Sequence, residues 1–85
     1  MKQAAFFAIA FTLAGGAVAC ESGHWVSKVA GDGEFVVLEN NSVWQINAVD
    51  QIDTSLWLPT TSIVACDDKL VNTDDGEVAE AFRIR

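Results

Sequence analysis

The chain is poor in positive charge, with five Lys and Arg against twelve Asp and Glu among 85 residues. Lys28, Lys69, Arg83 and Arg85 are scattered rather than clustered, and Lys2 stands alone near the start. Binding to a phosphate backbone relies on Lys and Arg displacing counterions, so nucleic acid is excluded as an expected partner. The acidity suits solubility and attraction to cations or basic surfaces. Histidine is almost absent too. His24 is the only one, and any nucleophile–base pair would have to be built around it, in a segment expected to fray. Ser22, Ser27, Ser42, Ser55 and Ser62 include no G-x-S-x-G elbow. Paired carboxylates such as Asp50 with Asp53, or Asp74 with Asp75, suit acid–base work in principle, but a small domain rarely builds the dry pocket that tunes them. The sequence therefore predicts no catalytic residue, no cofactor and no metal, and a protein that is not an enzyme.

Long apolar runs are also missing. The charge-free stretch over residues 4–13 is shorter than the roughly 20 residues of a spanning helix. With Lys2 before it, a Gly15–Gly16 break after it, and small residues at Ala17 and Ala19, it reads as a secretory signal peptide over residues 1–19. A retained anchor is the competing reading. Cleavage after Ala19 leaves residues 20–85 as a single small β-domain with twelve acidic and four basic residues, a net charge of −8.

A domain that small has a marginal core and commonly needs a covalent staple. Only Cys20 and Cys66 are available. An even cysteine count in an exported chain supports a disulfide, and closing a loop of this length stabilises by about 4 kcal/mol in the chain-entropy model. Two alternatives compete. A cysteine directly after a signal sequence is where bacterial lipoproteins are acylated, although no leucine stands three residues before Cys20. A zinc site from Cys20, His24, Cys66 and Asp67 lacks paired ligand spacing.

What the chain does have is alternation. Residues 35–46, FVVLENNSVWQI, read as two strands about Asn40–Asn41, residues that tolerate the positive φ of a two-residue hairpin loop. That loop would place Val37 opposite Trp44 and Phe35 opposite Ile46, putting these four on one face, with Val36, Leu38, Val43 and Gln45 on the other. Residues 24–30, 62–66 and 69–72 read as further strands, and so do residues 77–84, where Val78, Phe82 and Ile84 share one alternating face. Between them, Val49, Ile52 and Leu56 are spaced for one helical turn or a compact bridging loop. Asp67, Asp68, Asp74, Asp75 and Glu77 crowd where the chain must reverse, and Asp and Gly serve turns. They do not follow the EF-hand spacing, which leaves weak calcium binding as a lesser reading. Five or six short antiparallel strands without a strong amphipathic helix predict an all-β, SH3-like or OB-like barrel.

The run NNSVWQI, the loop VDQIDTSLWLP, then SIVAC, KLVNTDDGE and AFRI together resemble small exported bacterial proteins of unknown function. Their shared pattern is a Gly or Asn before Ser-x-Trp, a second Trp, and an L-x-N turn ending in Gly-Glu. The resemblance covers residues 34–84 and departs at Asn41, where glycine is commoner, and at Pro59–Thr60, where Gly-Asp often stands. It implies a small β-barrel and a bacterial envelope location, and no activity.

The functional expectation is a non-catalytic binding or accessory module of the bacterial cell envelope, with an envelope or extracellular protein or a glycan as partner. Trp25 and Trp57 are the candidates for its binding surface, with Trp44 expected in the core and burial the competing fate for the other two. An acidic inhibitor or structural protein docking on a basic surface is the alternative. Secretion or periplasmic residence is expected, and membrane attachment only if Cys20 is acylated.

Overall fold

The computed structural model describes residues 19–85, so the signal peptide expected over residues 1–19 lies almost wholly outside the described residues. The strands are β1 (Cys20–Ala30), β2 (Phe35–Leu38), β3 (Val43–Ile46), β4 (Ser62–Cys66), β5 (Lys69–Asn72) and β6 (Glu77–Arg83). One short helix, α1 (Gln51–Thr54), lies between β3 and β4. The strands close into an antiparallel barrel in the order β1-β2-β3-β6-β5-β4. The all-β barrel expected from the alternation is what the chain forms.

Closure depends on β1 being long enough to serve two neighbours. Its first half pairs with β4, from Cys20 opposite Cys66 to Trp25 opposite Ser62, and its second half pairs with β2, from Val26 opposite Leu38 to Ala30 opposite Phe35. Each pairing shifts register once along β1. Gly23, at φ +86, lies in the first shift, where a glycine relieves the steric cost of a bulge. Such bulges bend a strand and let one strand turn the corner between two sheets.

The β2–β3 hairpin corrects the expected register. Phe35 pairs with Gln45, Val36 with Trp44 and Val37 with Val43. The loop has three residues rather than two: Asn41 N–H bonds to the Leu38 carbonyl, Asn41 adopts φ +68, and Leu38 N–H bonds to the Ser42 carbonyl. The Asn40 side chain accepts from both the N–H and hydroxyl of Ser42, and that hydroxyl accepts from the Trp44 indole. These bonds favour the longer loop with a left-handed third residue. A one-residue slip turns a strand over, so Val36 and Leu38 face the core while Phe35 and Val37 lie half-buried on the outside.

The core gathers Val26, Val36, Leu38, Trp44, Ile46, Trp57, Ile63, Leu70, Ala79 and Ala81. β6 contributes only the two alanines, which leaves interior volume for two indoles, as small barrels require of facing positions. The shared face of Val78, Phe82 and Ile84 points outward.

The connection after β3 takes the first of its two expected forms, a helical turn. It is helical, a 3-10 turn at Ala48–Asp50 running into α1, but Val49, Ile52 and Leu56 are on its solvent side. The residues buried from this segment are Thr54 and Trp57. Thr54 Oγ1 donates to the Gly33 carbonyl at 2.7 Å. Gly33 sits at φ +100, and a Cβ there would lie 2.3 Å from the Gln51 carbonyl oxygen, so only glycine admits α1 this closely.

Candidate functional site

The start of β1 is tied down twice. Cys20 and Cys66 are bonded, with an S–S distance of 2.04 Å, between directly opposed positions of β1 and β4. The pairing expected from cysteine count is present, and neither sulfur is then available as a zinc thiolate. Among the described residues no three His, Cys, Asp or Glu side chains converge as a metal site.

The second tie is His24. Its Nδ1 lies 2.7 Å from Glu39 Oε2 and its Nε2 lies 2.7 Å from Glu21 Oε1, with the side chain 12% exposed. A neutral imidazole carries one N–H, so two short bonds to carboxylates call for the imidazolium, in which both nitrogens donate. The hydrogen bond to Glu21, then that to Glu39, and the charges of both raise its pKa, against a smaller opposing effect of burial. For Glu39, burial is the largest influence and opposes ionisation. Hydrogen bonds from the Trp25 N–H, from His24 and from its own backbone N–H outweigh it together and lower its pKa. The segment expected to fray is therefore clamped, and the histidine it carries has both nitrogens engaged.

The clamp positions Trp25. Its N–H donates to Glu39 Oε1 at 3.0 Å, and its side chain stands outside the barrel, leaving the residue 47% exposed. A shallow groove of about 510 Å³ runs beside it, lined by Ser22, Trp25, Thr60, Ser62 and Thr73 among others. Trp57, the other candidate, is only 4% exposed, and its indole N–H donates to Glu77 Oε1 at 2.7 Å. It belongs to the core, so the two tryptophans do not share a surface.

A larger feature was missed by reading the chain in order. Val49, Ile52, Leu56 and Leu58 are 69–77% exposed and form an aliphatic crest on the connection after β3. The crest reaches toward Trp25 through the backbone: Thr61 N–H bonds to the Leu58 carbonyl, and Thr60 N–H bonds to the Val26 carbonyl. The usable signal was Leu56-Trp57-Leu58, where one large residue of three could turn inward in an extended segment.

Of the crowded acidic residues, Asp74 and Asp75 serve the reversal between β5 and β6. Asp74 accepts from the Ser62 N–H, while Asp75 accepts from the Asn72 amide and donates its N–H to the Asn72 carbonyl oxygen of the side chain. Gly76, at φ +72, completes the reversal into β6. A second cleft of about 360 Å³ is lined by His24, Ser42, Trp44, Asp67 and Arg83 together with the disulfide.

Comparison of the chain with known protein families, with curated proteins and with solved structures finds no match.

Proposed function

We propose that this chain is an exported, non-catalytic binding or accessory module of the bacterial cell envelope, recognising an envelope or extracellular protein through Trp25 and the aliphatic crest. The observation that carries the reading is the crest itself. Four large aliphatic residues held in water on one short connection are costly to leave uncovered, and exposed apolar patches of this kind mark interaction sites. An adjacent exposed tryptophan supplies the aromatic anchor that such interfaces favour. The disulfide suits an oxidising, exported compartment. A sulfur engaged with Cys66 is not available for acylation, which favours a soluble protein over a lipid-anchored one. The engaged nitrogens of His24 support a non-catalytic role, since neither is free to take a proton.

The test is photo-crosslinking in living cells, with a photoreactive residue at Leu56 and, as a control, at Lys28. A discrete adduct from Leu56 that disappears in Trp25→Ala supports the reading. Equal labelling from both positions, or none, sinks it. An adduct unaffected by Trp25→Ala but dispersed by salt would favour the acidic-inhibitor alternative, because charge steering is screened.

A further inference from the structure

Phe82 stands on the outside of the barrel, 56% exposed, among hydrogen-bonding groups of several kinds. It pairs with Gln45, which pairs in turn with Phe35, so Phe35, Gln45 and Phe82 form one outward row over three strands. A groove of about 530 Å³ opens beside the ring, lined by Gln45, Asn47, Gln51, Asp68, Glu80 and Phe82 among others. Covering that ring removes apolar area from water, but a partner that does so must also satisfy the polar rim, because a desolvated group left unpaired is costly.

Two rim side chains are held by the protein itself. Asn47 Nδ2 donates to Glu80 Oε1 at 2.7 Å, and Gln51 Nε2 donates to the Ile46 carbonyl at 3.0 Å. Each bond fixes a side chain and leaves an oxygen, Glu80 Oε2 or Gln51 Oε1, with no donor among the described residues. The side chains of Gln45 and Asp68 have no hydrogen bond among the described residues. Lys69, opposite Glu80 on β5, adds an ammonium group at the same edge. The rim therefore offers donors and acceptors together, part of it already oriented.

We propose that this groove binds a neutral saccharide, with Phe82 as the stacking platform. Asp68, Glu80 and Asp50, whose Oδ2 accepts from the Glu80 N–H, repel anions. A cation fares little better, since Lys69 opposes it and no three of the carboxylates converge on one point among the described residues. A sugar hydroxyl donates and accepts at once, so it pairs with amide, carboxylate and ammonium alike. The negative face of a phenyl ring attracts polarised C–H bonds, and a pyranose with equatorial hydroxyls presents its axial C–H bonds as a flat face. That selects rings of the glucose and N-acetylglucosamine kind. Phe35 and Phe82 lie two strand spacings apart, roughly 10 Å, about the reach of two such rings in an extended chain, with the Gln45 amide between them. One exposed platform with a few hydrogen bonds binds weakly, with a Kd on the order of a millimolar. The groove includes neither Trp25 nor a residue of the crest, so this proposal stands or falls independently of the protein-recognition role.

Nuclear magnetic resonance on the 15N-labelled processed chain, recovered from the periplasm of an expressing bacterium, tests the proposal with cellotriose, chitotriose and, as a control, trilysine. Either sugar is expected to shift the side-chain amide signals of Gln45, Asn47 and Gln51. Phe82→Ala is expected to weaken binding at least about tenfold and Phe82→Trp to preserve it. Gln45→Ala weakens it less, and Trp25→Ala and Ile52→Ser leave it unchanged. These variants alter side chains outside the core, and an intact disulfide with unchanged circular dichroism confirms their folding. The proposal is overturned if neither sugar shifts these signals up to about 20 mM, well above the expected Kd. Shifts confined to other parts of the barrel, or binding that survives Phe82→Ala, also overturn it. Equal shifts with trilysine would make the groove a site for cationic peptides and likewise overturn it.

Discussion

Along β6, the residues turned into the barrel are Ala79 and Ala81, whereas those turned to water include Val78 and Phe82. The larger apolar side chains are outside and the smaller ones inside. β3 is built the other way, with Trp44 and Ile46 inside and Val43 and Gln45 outside. The two strands are neighbours, Ile46 opposite Ala81, so the alanines of one make room for the bulk of the other. Hydrophobicity alone does not choose the inward row; the volume left by the neighbouring strand does.

The contrast is broken most severely by charging each row in turn. Ala79→Asp places an unpartnered carboxylate in the core and is expected to cost about 4 kcal/mol or more. Val78→Asp, one residue away, is expected to change stability by no more than about 0.5 kcal/mol. Urea unfolding of the pair measures the difference, and similar losses from both would mean that the face is not free. Next in size is the disulfide, which joins an exposed position of β1 to a buried one of β4. Replacing Cys20 and Cys66 by serine is expected to lower stability by about 4 kcal/mol before any strain relief, read from the same unfolding curves without reductant.

Gly33 sharpens the comparison at the barrel end covered by α1. Gly33→Ala adds a methyl group against Gln51, Ser55 and Thr54 at a positive φ. The expected loss is about 3 kcal/mol with increased tryptophan solvent exposure by fluorescence, as α1 lifts and Trp57 follows.

The smallest expected effect is the pH response of the clamp outside the barrel. The pKa of His24 is raised in the folded chain, so its contribution is complete below the ordinary value of about 6.5 and is lost as pH rises through the folded pKa. Glu39 is lowered, so its contribution is complete above the ordinary carboxylate range and is lost as pH falls through the folded pKa. Stability is expected to be flat between these limits and to decline on the alkaline side. His24→Gln should remove that alkaline decline. An unchanged pH profile in this variant would mean that the clamp does not act through the imidazolium.

Much of the architecture was legible because alternation and turn chemistry are local. SIVAC, KLVN and the reversal at Thr73–Gly76 need only neighbours to be recognised. The hairpin register was not legible, because one asparagine pair serves a two- or a three-residue loop equally well. The choice rests on the Ser42 hydroxyl linking Asn40 to the Trp44 indole. Of the candidate surface, Trp25 was visible and Trp57 was not separable from it, since both stand among apolar neighbours. Only the reach of the Trp57 indole to Glu77, twenty residues away, places it inside.

By itself the sequence determined a small, acidic, all-β domain whose two cysteines could join, because composition, period-two patterning and turn residues act over a few positions. Tertiary structure alone decided which apolar row of β6 meets water and which tryptophan stays outside. It also decided that Glu21 and Glu39 meet on His24. Those outcomes depend on barrel closure, which brings distant strands into one shared volume, and no local pattern carries the size of that volume.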